Sequence, residues 1–178
     1  ADGSHVWSMR VGGLMTDQAL DVEVDAVGNV IVLGSFQDVI YPGMVPLGSA
    51  GAEDVLLLKL DSSGTVLWYK GFGSTGIDIG WGMALDSNNH IVITGQFAGT
   101  VNFGGGNLAS AGDSDIFLAH YDSNGNHVWS TRFGSTGTDI GYDVAVDGLG
   151  YATATGFFAG TVNFGGGNLV SAGVADIF

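Results

Sequence analysis

Three aspartates have the best claim to chemistry in this chain. Asp17, Asp78 and Asp139 stand in "GLMTDQA", "GSTGIDI" and "GSTGTDI", each 61 positions from the next. Carboxylates repeated at one phase could form a ring that holds a cation or a polar ligand, and clustered oxygens are what Ca²⁺ takes. The plainer reading is that each Asp caps its own turn through a backbone hydrogen bond. Trp7, Trp68 and Trp129 share the same spacing and serve either as sheet packing or as platforms for stacking a sugar.

Other residue types offer less. A zinc site needs two or three histidines and a carboxylate at close spacing, and His5, His90, His120 and His127 are scattered. No metal ligand set is therefore expected. The chain has no cysteine, which removes thiolate metal sites, thiol nucleophiles and disulfides. No G-x-S-x-G motif occurs. The glycine run "FGGGN" at 103–107 and 164–168 precedes no helix and has no lysine nearby, so it reads as a turn rather than a phosphate cradle. The groups capable of chemistry mostly recur in register, whereas a hydrolase needs an asymmetric set, so no enzyme is expected. No motif requires a cofactor.

Charge narrows the partners. Four Lys and Arg against eighteen Asp and Glu give a net charge of −14. Nucleic acid is a poor partner, because phosphate binding needs cations that displace counterions. No apolar run is long enough to cross a bilayer as a helix.

The elements that would position these residues follow from the repeat. "GTVNFGGGNL" begins at Gly99 and again at Gly160, and the offset of 61 runs without a gap through the whole chain. It divides a single array into copies 1–61, 62–122 and 123–178, the last incomplete. Each copy carries four strand-like runs. "DVEVD" at 21–25 alternates, with Val22 and Val24 on one face. "NVIVLGSF" at 29–36 and "DVLLLKLD" at 54–61 are nearly continuous apolar runs. "TVLWYKGF" at 65–72 is the fourth, matched by "SHVWSMRV" at 4–11 and "NHVWSTRF" at 126–133. D-x-x-G turns, "DSSG" and "DSNG", join the third run to the fourth.

Continuous apolar runs mean sheets covered on both faces. No segment has helical periodicity, so sheets must cover sheets. Four-stranded antiparallel sheets stacked around an axis are β-propeller blades. The expected fold is all-β, part of a larger propeller, because rings take about four to eight blades and only three copies are present. A β-trefoil and a β-prism are the alternatives.

The hairpins at Asp25–Gly34, Asp86–Gly95 and Asp147–Gly156, with the later segments Asp54–Trp68 and Asp115–Trp129, resemble bacterial SBBP-type β-propeller repeats. Val55-Leu56-Leu57 departs from that pattern's aromatic-containing triplet, and His120 stands where the first copy has Lys59. The resemblance implies an extracellular or cell-surface setting and no reaction. The expected role is a non-enzymatic structural or protein-interaction module, part of a bacterial surface assembly. Its partners would be a protein, a glycan or further copies of itself. The alternative is a carbohydrate-binding propeller with one shallow site per blade.

Overall fold

The computed structural model describes residues 2–178. The first sheet comprises β1 (Gln18–Val24), β2 (Val30–Ile40), β3 (Leu47–Leu60) and β4 (Val66–Phe72). The second comprises β5 (Ile79–Leu85), β6 (Ile91–Phe97), β9 (Asp115–Tyr121) and β10 (His127–Phe133), with a separate small hairpin of β7 (Thr100–Asn102) and β8 (Asn107–Ala109) between β6 and β9 in the chain. The third has β11 (Ile140–Val146), β12 (Ala152–Phe158), the hairpin β13 (Thr161–Asn163) and β14 (Asn168–Val170), and β15 (Asp176–Ile177). All strand pairs are antiparallel neighbours in chain order, with the small hairpins standing apart from the main sheets. Among the described residues there is no helix.

The innermost strands meet one another. β5 lies between β1 and β11, so the three sheets share one edge and splay outward from it. Each innermost strand carries a bulge at the same phase: the pairing skips Leu20, Trp81 and Tyr142. The glycine opposite explains why the copies keep it. A Cβ on Gly95 would lie 1.9 Å from the Ile79 carbonyl oxygen, a contact only a residue without a side chain tolerates.

In the first two sheets the apolar segments of the second and third strands are largely buried on both faces, as the continuous runs require, whereas β12 of the third exposes Thr153 and Thr155. Ile31, Leu33, Val55 and Leu57 of the first sheet pack against Met83, Ile91, Ile93, Phe117, Ala119 and Tyr121 of the second in one core. Leu56, Leu58 and Leu60, on the other side of β3, join Phe36 and Ile40 in a second core. The architecture is β-propeller-like: among the described residues the three sheets form an open series with no closed ring. Sheets covered on both faces do not suit the trefoil alternative, whose strands bury one face only.

One sequence expectation needs correction. Residues 4–11 are not a strand. An outermost strand exists only by pairing with a third strand, and β3 is already bonded to β4. Instead Trp7 and Val11 lie against the second core as irregular chain. The third sheet has three main strands, β11, β12 and β15, as expected of the incomplete third copy. The "FGGGN" runs are turns, as expected, and the connections around them are ordered: hairpins in copies two and three, and an extension of β2 and β3 in copy one. In copy two the hairpin drives Phe103 into the core, stacked on Phe117 at 4.4 Å.

Candidate functional site

The three repeated aspartates are tied to backbone. Asp78 accepts the Ser74 amide (2.7 Å) and the Ala98 amide (2.9 Å), one on each oxygen. Asp139 does the same with Ser135 (2.7 Å) and Ala159 (2.8 Å). Asp17 accepts from Gly13 (2.8 Å) and, at 3.3 Å, from Gln37. Asp78 and Asp139 are fully buried. Each carboxylate thus clamps the loop entering an innermost strand to the end of the second strand. Burial pushes the Asp78 carboxyl up to about 6, against the pull of its two amide donors.

The tryptophans join neighbouring copies. A Cβ on Gly64 would sit 3.0 Å from the Trp7 ring, and one on Gly125 would sit 3.2 Å from Trp68. Each indole therefore covers the D-x-x-G turn one copy ahead, and Trp7 Nε1 also donates to the Ser62 carbonyl at 3.0 Å. Trp68 packs on the first core. Trp129 covers no such turn among the described residues, is 38% exposed, and meets the His120 ring edge-on.

A feature missed in the sequence lies where the second and third strands meet the first hairpin. In copy one, Asp25 and Lys59 form a buried ion pair at 3.0 Å, with Asn29 Nδ2 donating to the same carboxylate oxygen at 2.8 Å. Lys59 Nζ also reaches the Ser123 carbonyl of the next sheet at 3.0 Å. Burial opposes ionisation of Asp25, but the Asn29 and Lys59 bonds outweigh it and hold the carboxyl down to about 2. The signal was present in "VLLLKL", a lysine inside an apolar run that needed a buried partner. In copy two the equivalent positions hold Asp86, His90 and His120, whose ligating atoms lie within 4.8 Å of one another. The histidines, 30 residues apart in sequence, become neighbours because β6 pairs with β9, Val92 opposite His120.

An apolar groove of about 480 Å³ lies on the front of the first sheet. Val22, Val30, Val32, Leu56, Leu58 and Leu60 line it, roofed in part by Trp7 and Val11. Its residues are the counterparts of Met83, Ile91, Ile93, Phe117, Ala119 and Tyr121, which the first sheet covers. Val22 and Val24 are each 60% exposed, whereas Met83, the counterpart of Val22, is 3% exposed. The same surface is sealed by a neighbouring sheet in one copy; in the other, Leu56, Leu58 and Leu60 stay buried beside Trp7 and Val11 while Val22 is left open to solvent.

No model of a known protein family matches the chain. It is similar to an uncharacterized WD repeat-containing protein of Acanthamoeba polyphaga mimivirus, 29% identical over 168 residues, covering 82% of this chain and 12% of that protein. It is also similar to the regulatory protein FlaEY of Caulobacter vibrioides, 28% identical over 146 residues, covering 78% of this chain and 15% of that protein. The chain therefore spans a small fraction of the length of these relatives. The WD-repeat likeness agrees with the propeller-like stacking of the sheets.

Proposed function

We propose that this chain is a non-enzymatic interaction module, a segment of a longer β-propeller-type array whose surfaces bind further repeats and protein partners. The observation that carries the reading is the groove on the first sheet. Its residues are those that, one copy later, receive a neighbouring sheet, so the occupant they fit is another 61-residue copy of the same repeat. Exposed apolar surface of this kind marks an interaction site. The name of the WD-repeat relative is consistent with a scaffold. The binding of Asp17, Asp78 and Asp139 to backbone amides leaves them structural work rather than turnover, and a purified preparation should hydrolyse no substrate. An SBBP-type identity and an extracellular or bacterial cell-surface setting are further parts of this proposal, supported by the hairpin motifs that the three copies share.

The experiment adds the missing neighbour. A second copy of residues 62–122 placed directly before residue 1 keeps the 61-residue phase. The extended chain should lose the hydrophobic-dye binding of the 178-residue chain, melt at a higher temperature, and pair residues 4–11 as a strand. Unchanged dye binding and melting would refute the reading. For the carbohydrate alternative the favourable feature is the open face of Trp129. Glycan-array binding lost in a folded Trp129→Ala variant would support that alternative over the leading one.

A further inference from the structure

We propose that Asp86, His90 and His120 form a binding site for a divalent transition metal, with Zn²⁺ the natural occupant. The site is separate from the groove and does not depend on the interaction role proposed above.

The first argument is the donor set. Two imidazole nitrogens and a carboxylate oxygen within 4.8 Å of one another are the ligands a tetrahedral or five-coordinate Zn²⁺ takes from protein, with water completing the shell. The three side chains are partly buried, with the Asp86 side chain 10% and the His90 side chain 35% exposed, so one side remains open to solvent. Zn–N and Zn–O distances near 2.0–2.2 Å would draw the donors together by small side-chain rotations.

The second argument is an unmet need. Both ring nitrogens of His120 are buried and have no hydrogen-bond partner. A neutral imidazole offers one donor and one acceptor, and burying both unmatched is costly. A metal ion satisfies one of them directly. Among the described residues the only ion-pair contact of Asp86 is with His90, whose Nδ1 lies 3.1 Å from Asp86 Oδ2.

The third argument comes from the repeat. At the same phase copy one holds Asp25, Asn29 and Lys59, where a buried ammonium stands 3.0 Å from the carboxylate. Copy two keeps the aspartate, removes the ammonium and substitutes two imidazoles. The carboxylate is held in place in both. Asp86 Oδ1 accepts the amides of Asn88 and His90, both at 2.8 Å, which orients its other oxygen toward the histidines. Such outer bonds position a metal ligand. The substitution replaces a resident cation with a donor set suited to an incoming one.

Co²⁺ is the probe, since its visible absorption reports low-symmetry nitrogen and oxygen coordination. The 178-residue chain at neutral pH should bind one equivalent of Co²⁺ with a saturable visible band, and Zn²⁺ should displace it. The metal should raise the melting temperature. The double variant His90→Asn with His120→Lys, which installs copy one's own residues, should fold without metal and lose the band and the metal-dependent shift. His127→Asn, outside the triad, should retain both. Absence of one-equivalent binding in the parent chain would overturn the proposal. So would retention of the band in the double variant, or its loss in His127→Asn.

Discussion

At the residue scale, two buried carboxyls of one chemical type are pushed in opposite directions by their surroundings. Asp25 is held down to about 2 and Asp78 pushed up to about 6. Side-chain carbon NMR across pH 1–8 should therefore show Asp25 titrating well below Asp78. The linked stability effects have opposite signs. For Asp25 the native state binds the proton less readily than an ordinary carboxyl near 3.8, so its contribution is complete above about pH 4 and is lost as pH falls toward 2. For Asp78 the contribution is present below about pH 4 and is lost as pH rises through 6. Asp25→Asn should accordingly flatten the acid limb of a stability–pH curve. Lys59→Ala leaves Asp25 buried and unpaired and should cost about 3–5 kcal/mol in chemical denaturation. A cost below about 1 kcal/mol would mean that the pair is solvated in solution.

At the scale of elements, the joints between copies determine what a substitution costs. Trp68 covers the Gly125 turn and packs on the first core, while Trp129 lies at an uncovered position. Trp68→Ala should therefore destabilise by about 3 kcal/mol and Trp129→Ala by clearly less, measured by urea denaturation. Equal costs would argue against the joint. Gly95→Ala at the bulge should cost about 3 kcal/mol, since its Cβ would meet the Ile79 carbonyl and the Phe117 ring. The strands themselves were legible because apolar runs with no helical period leave few alternatives. The strand expected at residues 4–11 was not formed, and the reason is general: "SHVWSMRV" has the pattern of a strand, but an edge strand also needs a bonded neighbour. Phe103 was read as part of a turn because its glycine neighbours dominate the local sequence. Its burial depends on Phe72, Phe97 and Phe117, which surround it only after the sheets stack.

For the whole molecule, the two ends of the series differ. The front of the first sheet shows Val22, Val24 and the groove behind them, whereas the far side of the third exposes Thr153 and Thr155. Val22→Asp with Val24→Asp, on side chains already facing solvent, should leave the melting temperature within a few degrees and reduce hydrophobic-dye binding. If the dye signal persists in that variant, the apolar surface lies elsewhere. Net charge of −14 keeps such a surface from promiscuous contact with other acidic molecules, because like charges repel at long range.

The sequence by itself determined the period, most of the strands, the double-sided burial of the first two sheets and the absence of thiol chemistry. All of these follow from local pattern, from composition or from exact repetition. Tertiary structure decided what the polar residues do. It turned the repeated aspartates into backbone clamps, gave Lys59 its buried partner, and brought His90 and His120 beside Asp86. The reason is that a hydrogen bond or a ligand set depends on atoms within about 3–5 Å, and strand pairing places residues at that distance irrespective of how far apart they stand in the chain.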